Sequence, residues 1–333
     1  MKVTELISYC KNLVESAPTM DHNDSACADY AYNTLLSLPH ISDELINELI
    51  YRCSIEPSIV ASAGHENFGE PSIILGDANG WIAEIISWDT MVTSIHEHSN
   101  FGAFKTLNGS RIHFTFIFLE QKHINLDSTI KLGNLECVSI EELPPGSTTK
   151  VLKRSDFIHS IWPISGRATT FVLRKKGPND SWGYFPKSIC YDVRLAENYI
   201  NERIRYLKDL RRYSEKLYSD SLVKMFLTAP MAASVHLITS LGISKKDHFF
   251  TDLISASTER SEELARCLIE TSEIDSFFGT IFLMRAKALY PEHQRALAFT
   301  FYSKFIPDIP KDTFIAIGLP KTSGSIASQG DYL

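Results

Sequence analysis

Three kinds of hydrophobic spacing follow one another along the chain. In the first fifty residues the apolar positions fall three and four apart. Leu6, Cys10, Leu13 and Val14 form one stripe and residues 26–36 carry a second. Ser42-Asp43-Glu44-Leu45 opens a third helix with a capping hydroxyl and early acids. From about Ile73 the period falls to two. Residues 72–76, 81–88, 101–107, 111–119, 128–132, 135–140, 148–152, 157–162, 169–174 and 189–193 read as strands. Turn residues separate several of them: Asp77-Ala78-Asn79-Gly80, Asn108-Gly109-Ser110 and Pro144-Pro145-Gly146. Many short strands with no helices between them predict an antiparallel sandwich or barrel rather than βαβ units. Near Arg194 helical spacing returns in Leu195, Tyr199, Ile200, Ile204, Leu207 and Leu210. It continues through 221–227, 232–241, 248–257, 259–271, 275–289 and 291–305.

The expected fold class is therefore α+β. Helices over 1–55 flank an antiparallel β-barrel over 56–193, an all-α domain covers 194–320, and 321–333 is a loose polar tail. A length of 333 residues, 44% of them hydrophobic and 22% charged, suits a two-domain globular protein with a sizeable core. A net charge of −7 argues against nucleic acid as a partner, and the basic run 203–212, with acids interleaved, reads as a solvated helix face. No apolar run approaches the roughly 18 residues of a membrane span. The cysteines (Cys10, Cys27, Cys53, Cys137, Cys190 and Cys267) form no CxxC pair and read as reduced thiols. With an early acid and no signal-peptide core, the expected location is the cytoplasm. No phosphate loop, GxSxG elbow or HExxH helix is present.

The candidate chemistry lies in Thr93-Ser94-Ile95-His96-Glu97-His98. On a strand, residues two apart point to one side, so both imidazoles can reach one metal ion. Gly109, eleven residues after His98, marks the following turn. The best third ligand is His159, a lone imidazole in the apolar strand Phe157-Ile158-His159-Ser160-Ile161-Trp162; His113 competes for that role. Arg111, Arg167 and Arg174 are the cations best placed to orient an anionic ligand. Trp88, Trp162, Tyr184 and Tyr191 are candidates for pocket walls or for core packing. His65 reads as a loop residue, and His123, His236, His248 and His293 as ordinary polar positions.

The order Trp88, Ser94-Ile95-His96-Glu97-His98, Phe104-Lys105-Thr106-Leu107-Asn108-Gly109 and Ile158-His159 resembles the cupin superfamily. Within it, these residues are similar to the cysteine dioxygenase (thiol dioxygenase) family over residues 70–193, and Cys190 matches a late cysteine of that family. The resemblance implies a cupin-type barrel with Fe(II), or another divalent metal, on His96, His98 and His159. It also implies a mononuclear dioxygenase whose partners are dioxygen and a small thiol or amino-acid-like substrate. Four departures stand out. Gly102 and Ala103 occupy the place of the usual cupin glutamate, and Glu97 should face away from the metal. Between Arg52 and Lys105 there is no Arg or Lys, so the family's substrate arginine is missing. Gly102 also replaces the cysteine of a Cys–Tyr crosslink. No tyrosine stands near 172–175, which leaves Tyr184, Tyr191 and Arg174 to serve the substrate. Two other readings are a cupin-derived ligand-binding or regulatory protein, and a metal-dependent isomerase or lyase. The helical domain is a candidate surface for homodimerisation.

Overall fold

The computed structural model describes residues 1–21, 24–56, 71–88, 93–120, 127–164, 167–177, 182–185, 189–243, 245–266, 268–269, 294–295 and 297–298. The three N-terminal helices form where the spacing predicts them: α1 (Val3–Glu15), α2 (Ala26–Leu36) and α3 (Asp43–Ile55). Ser42 caps α3, its Oγ accepting from the Leu45 amide at 3.4 Å. The buried stripes of α1 and α2 share one core with Ile73, Leu75, Trp81, Phe171 and Leu173 from the β region.

The strands among the described residues are β1 (Ser72–Ala78), β2 (Trp81–Trp88), β3 (Ile95–Glu97), β4 (Gly102–Asn108), β5 (Arg111–Glu120) and β6 (Ile130–Leu143). They continue with β7 (Thr148–Val151), β8 (Ile158–Pro163), β9 (Ala168–Lys175), β10 (Trp182–Phe185) and β11 (Ile189–Asp192). All pair antiparallel. The sequence predicts one barrel, whereas the strands divide between two units. A five-stranded sheet has the order β1-β2-β9-β4-β7, and a closed barrel runs β10-β11-β6-β5-β8-β3. The fold is thus α+β with a closed antiparallel barrel. Asn79 and Gly80, at φ 53° and 72°, make the tight turn between β1 and β2 that their residue types favour.

Two expectations change. Segments 128–132 and 135–140 are not separate strands but parts of the single long β6. Gly133, between the two predicted segments, allows a close approach: a Cβ there would lie 2.5 Å from the Leu119 carbonyl oxygen on β5. The short β10 carries no run of alternating residues and was not anticipated.

The helices α4 (Val193–Tyr213), α5 (Glu215–Thr228), α6 (Met231–Leu241) and α7 (Phe250–Arg260) follow. Asp192, the last residue of β11, caps α4 by accepting from the Leu195 amide at 2.8 Å. Ile130, Leu132, Ile189 and Tyr191 of the barrel share a core with Ala196, Ile200, Phe226 and Leu237 of the helices. No described helix is long and apolar enough to cross a membrane. Five cysteines (Cys10, Cys27, Cys53, Cys137 and Cys190) are free thiols. The helices expected over 275–289 and 291–305 fall almost wholly outside the described residues, as do His65, His123, His293 and Cys267.

Candidate metal centre

Pairing of β3 with β8 sets His96 opposite His159. Directly opposed residues share a face, and alternation adds His98 to it. On β5, Thr115 opposes His159, so His113, two residues away, lies on that face as well. The face looks toward the five-stranded sheet. The Phe104 ring on β4 is 6.0 Å from His113 and 6.3 Å from His159, and the Phe157 ring lies 4.5 Å from His159, tilted by 42°. The imidazoles therefore sit between the two β units.

His96, His98 and His159 each offer one ring nitrogen, and the three atoms lie within 4.8 Å of one another. His98 Nε2 and His159 Nε2 are 2.8 Å apart. Hydrogen bonds behind the rings decide which nitrogen faces inward. His96 Nδ1 lies 2.8 Å from the Ser94 carbonyl oxygen, which only accepts, so Nδ1 carries the proton and Nε2 the lone pair. His113 Nδ1 lies 3.0 Å from Glu141 Oε1, and that carboxylate likewise accepts. In the uncharged tautomer this bond selects, His113 Nε2 accepts from His159 Nδ1–H at 3.0 Å. His159 is left with its Nε2 lone pair toward His98. In space, His159 joins the cluster of three, and His113 stands behind it with Glu141.

Burial, reinforced by the neighbouring imidazoles, holds His98 and His159 well below the ordinary histidine value; the Arg174 cation adds to the effect on His98. Burial lowers His96 too, with the Ser94 carbonyl opposing it. Neutral imidazole is the form that binds a metal. The residues present therefore fit a divalent cation of borderline softness: three uncharged nitrogen donors, two with their far nitrogens engaged by hydrogen bonds.

Glu97 points to the opposite face. The Tyr184 hydroxyl donates to Glu97 Oε2 at 2.5 Å. Tyr184 packs with Cys190, Ile95, Ile112 and Phe116, away from the histidines. Burial pushes both the Tyr184 phenol and the Cys190 thiol upward, each further raised by the Glu97 carboxylate nearby. Tyr184→Phe removes a donor from a buried carboxylate. The expected cost is about 1–3 kcal/mol in a denaturant titration, with metal content unchanged.

The other sequence candidates take separate places. Tyr191 lies in the core shared with the C-terminal helices, its ring 6.4 Å from His236. Arg174, on β9, faces the site, but its Nε donates to Glu84 Oε1 at 2.6 Å, and the Ser72 hydroxyl also reaches Glu84. Arg167 bonds the Asn47 side chain near the surface. Trp162 is a core residue of the barrel. Glu141 and Glu84 escaped the sequence reading, because only strand register brings Glu141 to His113 and Glu84 to Arg174. Gly102 has a plain steric role: a Cβ there would stand 2.6 Å from the Leu173 carbonyl oxygen and 2.8 Å from Arg174 Cβ. A surface depression of 530 Å³ at the start of α4, lined in part by Asp192, Arg194, Tyr199 and Arg203, contains none of the histidines.

No protein-family model matches the sequence, and no curated protein matches it. Among solved structures, a cupin-2 domain protein from Shewanella frigidimarina overlaps 33% of this chain and 84% of its own, at 10% identity and a TM-score of 0.23. A DMSP lyase structure overlaps 55% of this chain and 94% of its own, at 13% identity and a TM-score of 0.29. The hydroquinone 1,2-dioxygenase PnpCD overlaps 32% and 63%, at 16% identity and a TM-score of 0.24. Likenesses this weak carry no inference about activity.

Proposed function

We propose that this chain is a cupin-type mononuclear non-haem iron dioxygenase acting on a small thiol or amino-acid-like molecule. The observation that carries this reading is the convergence of His96, His98 and His159, with His113 and Glu141 orienting His159 from behind. His96, His98 and His159 would hold Fe(II), which would supply Lewis acidity and redox capacity toward dioxygen and substrate. The protein's own residues set the conditions. The Glu141–His113–His159 chain fixes one ligand's tautomer and direction, and the Ser94 carbonyl fixes another. Phe104 and Phe157 wall the histidines and limit water. Arg174, held by Glu84, keeps a positive charge close to His98.

Metal analysis of protein purified without added metal tests the site. Wild type is expected to carry near-stoichiometric iron, and His96→Ala to lose it. Absence of metal from both proteins rejects an enzyme of this kind and favours a binding or regulatory role. Iron without oxygen uptake on any thiol or amino-acid-like candidate favours an isomerase or lyase on the same scaffold.

A further inference from the structure

Arg111 opens β5 and is fully buried. Strand alternation places it on the His113 face, toward the five-stranded sheet. Its Nη1 donates to the Thr170 hydroxyl on β9. Its Nε and Nη2 have no hydrogen-bond partner. These two nitrogens form the side-on edge with which a guanidinium holds a carboxylate through parallel bonds. Thr106 on β4 is the cross-strand partner of Thr170; it too is fully buried, and its hydroxyl has no partner. Two buried groups with unpartnered polar atoms thus both neighbour Thr170, one by hydrogen bond and one across the strand pair.

A desolvated cation with no countercharge is costly, and burial pushes the Arg111 guanidinium down to about 9. Other arginines have acids: Arg174 pairs with Glu84, Arg211 with Asp247 and Arg295 with Glu142. Among the described residues no acid pairs with Arg111. The missing partner has a defined shape: planar, anionic, with two oxygens side by side.

We propose that Arg111, Thr170 and Thr106 form an internal site for a carboxylate group. Nε–H and Nη2–H donate to its two oxygens, the Thr106 hydroxyl donates a third bond, and Thr170 holds the guanidinium in place. Arg111 lies two residues from His113 along β5, roughly 6.6 Å, on the side away from Glu97. The carboxylate belongs either to a small free acid or to one end of a longer acid whose other end reaches the histidines. The site itself does not depend on the metal reading.

The test uses the full-length, metal-free protein with formate and acetate as probes, and chloride and sulfate at equal ionic strength as controls. Melting temperature and NMR line-broadening of labelled formate are measured. Wild type is expected to melt higher as formate or acetate rises, but not with the control salts. Arg111→Lys keeps a charge but loses the paired N–H edge, and formate binding is expected to weaken about tenfold or more. Arg111→Met removes the buried charge; it is expected to melt no lower than wild type in anion-free buffer and to show no formate response. His96→Ala is expected to keep the full response. Repeating the measurement with longer monocarboxylates, with and without Fe(II), separates the sources. Affinity gained on metal loading and lost in His96→Ala marks a ligand spanning both sites, whereas affinity indifferent to metal marks a free acid. No carboxylate response in wild type, or a response in Arg111→Lys and Arg111→Met equal to that of wild type, overturns the proposal. A formate response in a protein that binds no metal upholds this site while rejecting the dioxygenase.

Discussion

Alanine at position 159 is expected to abolish stoichiometric metal binding, while alanine at position 113 only weakens it. His159 directs its Nε2 to within 2.8 Å of His98 Nε2, so its loss removes one of three donors. That is on the order of 4 kcal/mol, about three orders of magnitude in affinity. His113 touches only the far nitrogen of His159 and passes its own proton toward Glu141. Losing such a support typically costs about 10–100-fold. Metal titration of both variants by calorimetry, beside wild type, reads the difference directly. The reverse ranking would show that His113 is the ligand and that His159 merely packs between it and His98. Far-ultraviolet circular dichroism checks that both variants keep the fold.

Gly102→Glu is expected to destabilise the protein by about 3 kcal/mol or more and to create no fourth ligand. The residue sits on a strand paired on both sides, opposite Arg174 on β9 and Val151 on β7. Its missing side chain is what lets β4 and β9 approach, since a Cβ would stand 2.6 Å from the Leu173 carbonyl oxygen. A carboxylate added here must first force the two strands apart. Guanidinium unfolding and metal titration of the variant distinguish the outcomes. A stable protein with raised metal affinity would show that the glycine fills an otherwise available ligand position. The three-histidine set is, on this view, imposed by backbone packing as much as by the choice of ligands.

The parts of this architecture governed by local spacing were legible in the sequence. The stripe of Leu6, Cys10, Leu13 and Val14 gave α1, and the turn chemistry of Asn79-Gly80 gave the β1–β2 hairpin. His96, His98 and His159 could be picked out because period-two alternation and an isolated imidazole in an apolar strand are local signals. What depends on pairing between distant segments could not be read. Nothing local shows that Glu141 stands opposite His113, or that Arg174 already has a carboxylate in Glu84. Tyr184 was expected near the substrate; the side of the sheet it takes is set by its pairing with Ile95, the neighbour of His96, and puts it on Glu97 instead. The division into a closed barrel and a separate sheet is likewise a property of register, not of composition.

Closure of the barrel rests on β10, four residues long, which pairs with β11 along its length and with β3 at Gly183–His96 and Tyr184–Ile95. Gly183 is pressed so close to α4 that a Cβ would meet the Val193 side chain at 2.6 Å. The strand carrying the first histidine is therefore anchored, through a single short staple, to the start of the helices. This has a bearing on modularity. The barrel shares its core with the helices that follow it. A cut after Asp192 would strip the backing from β10 and bare Ile130, Leu132 and Tyr191 to water.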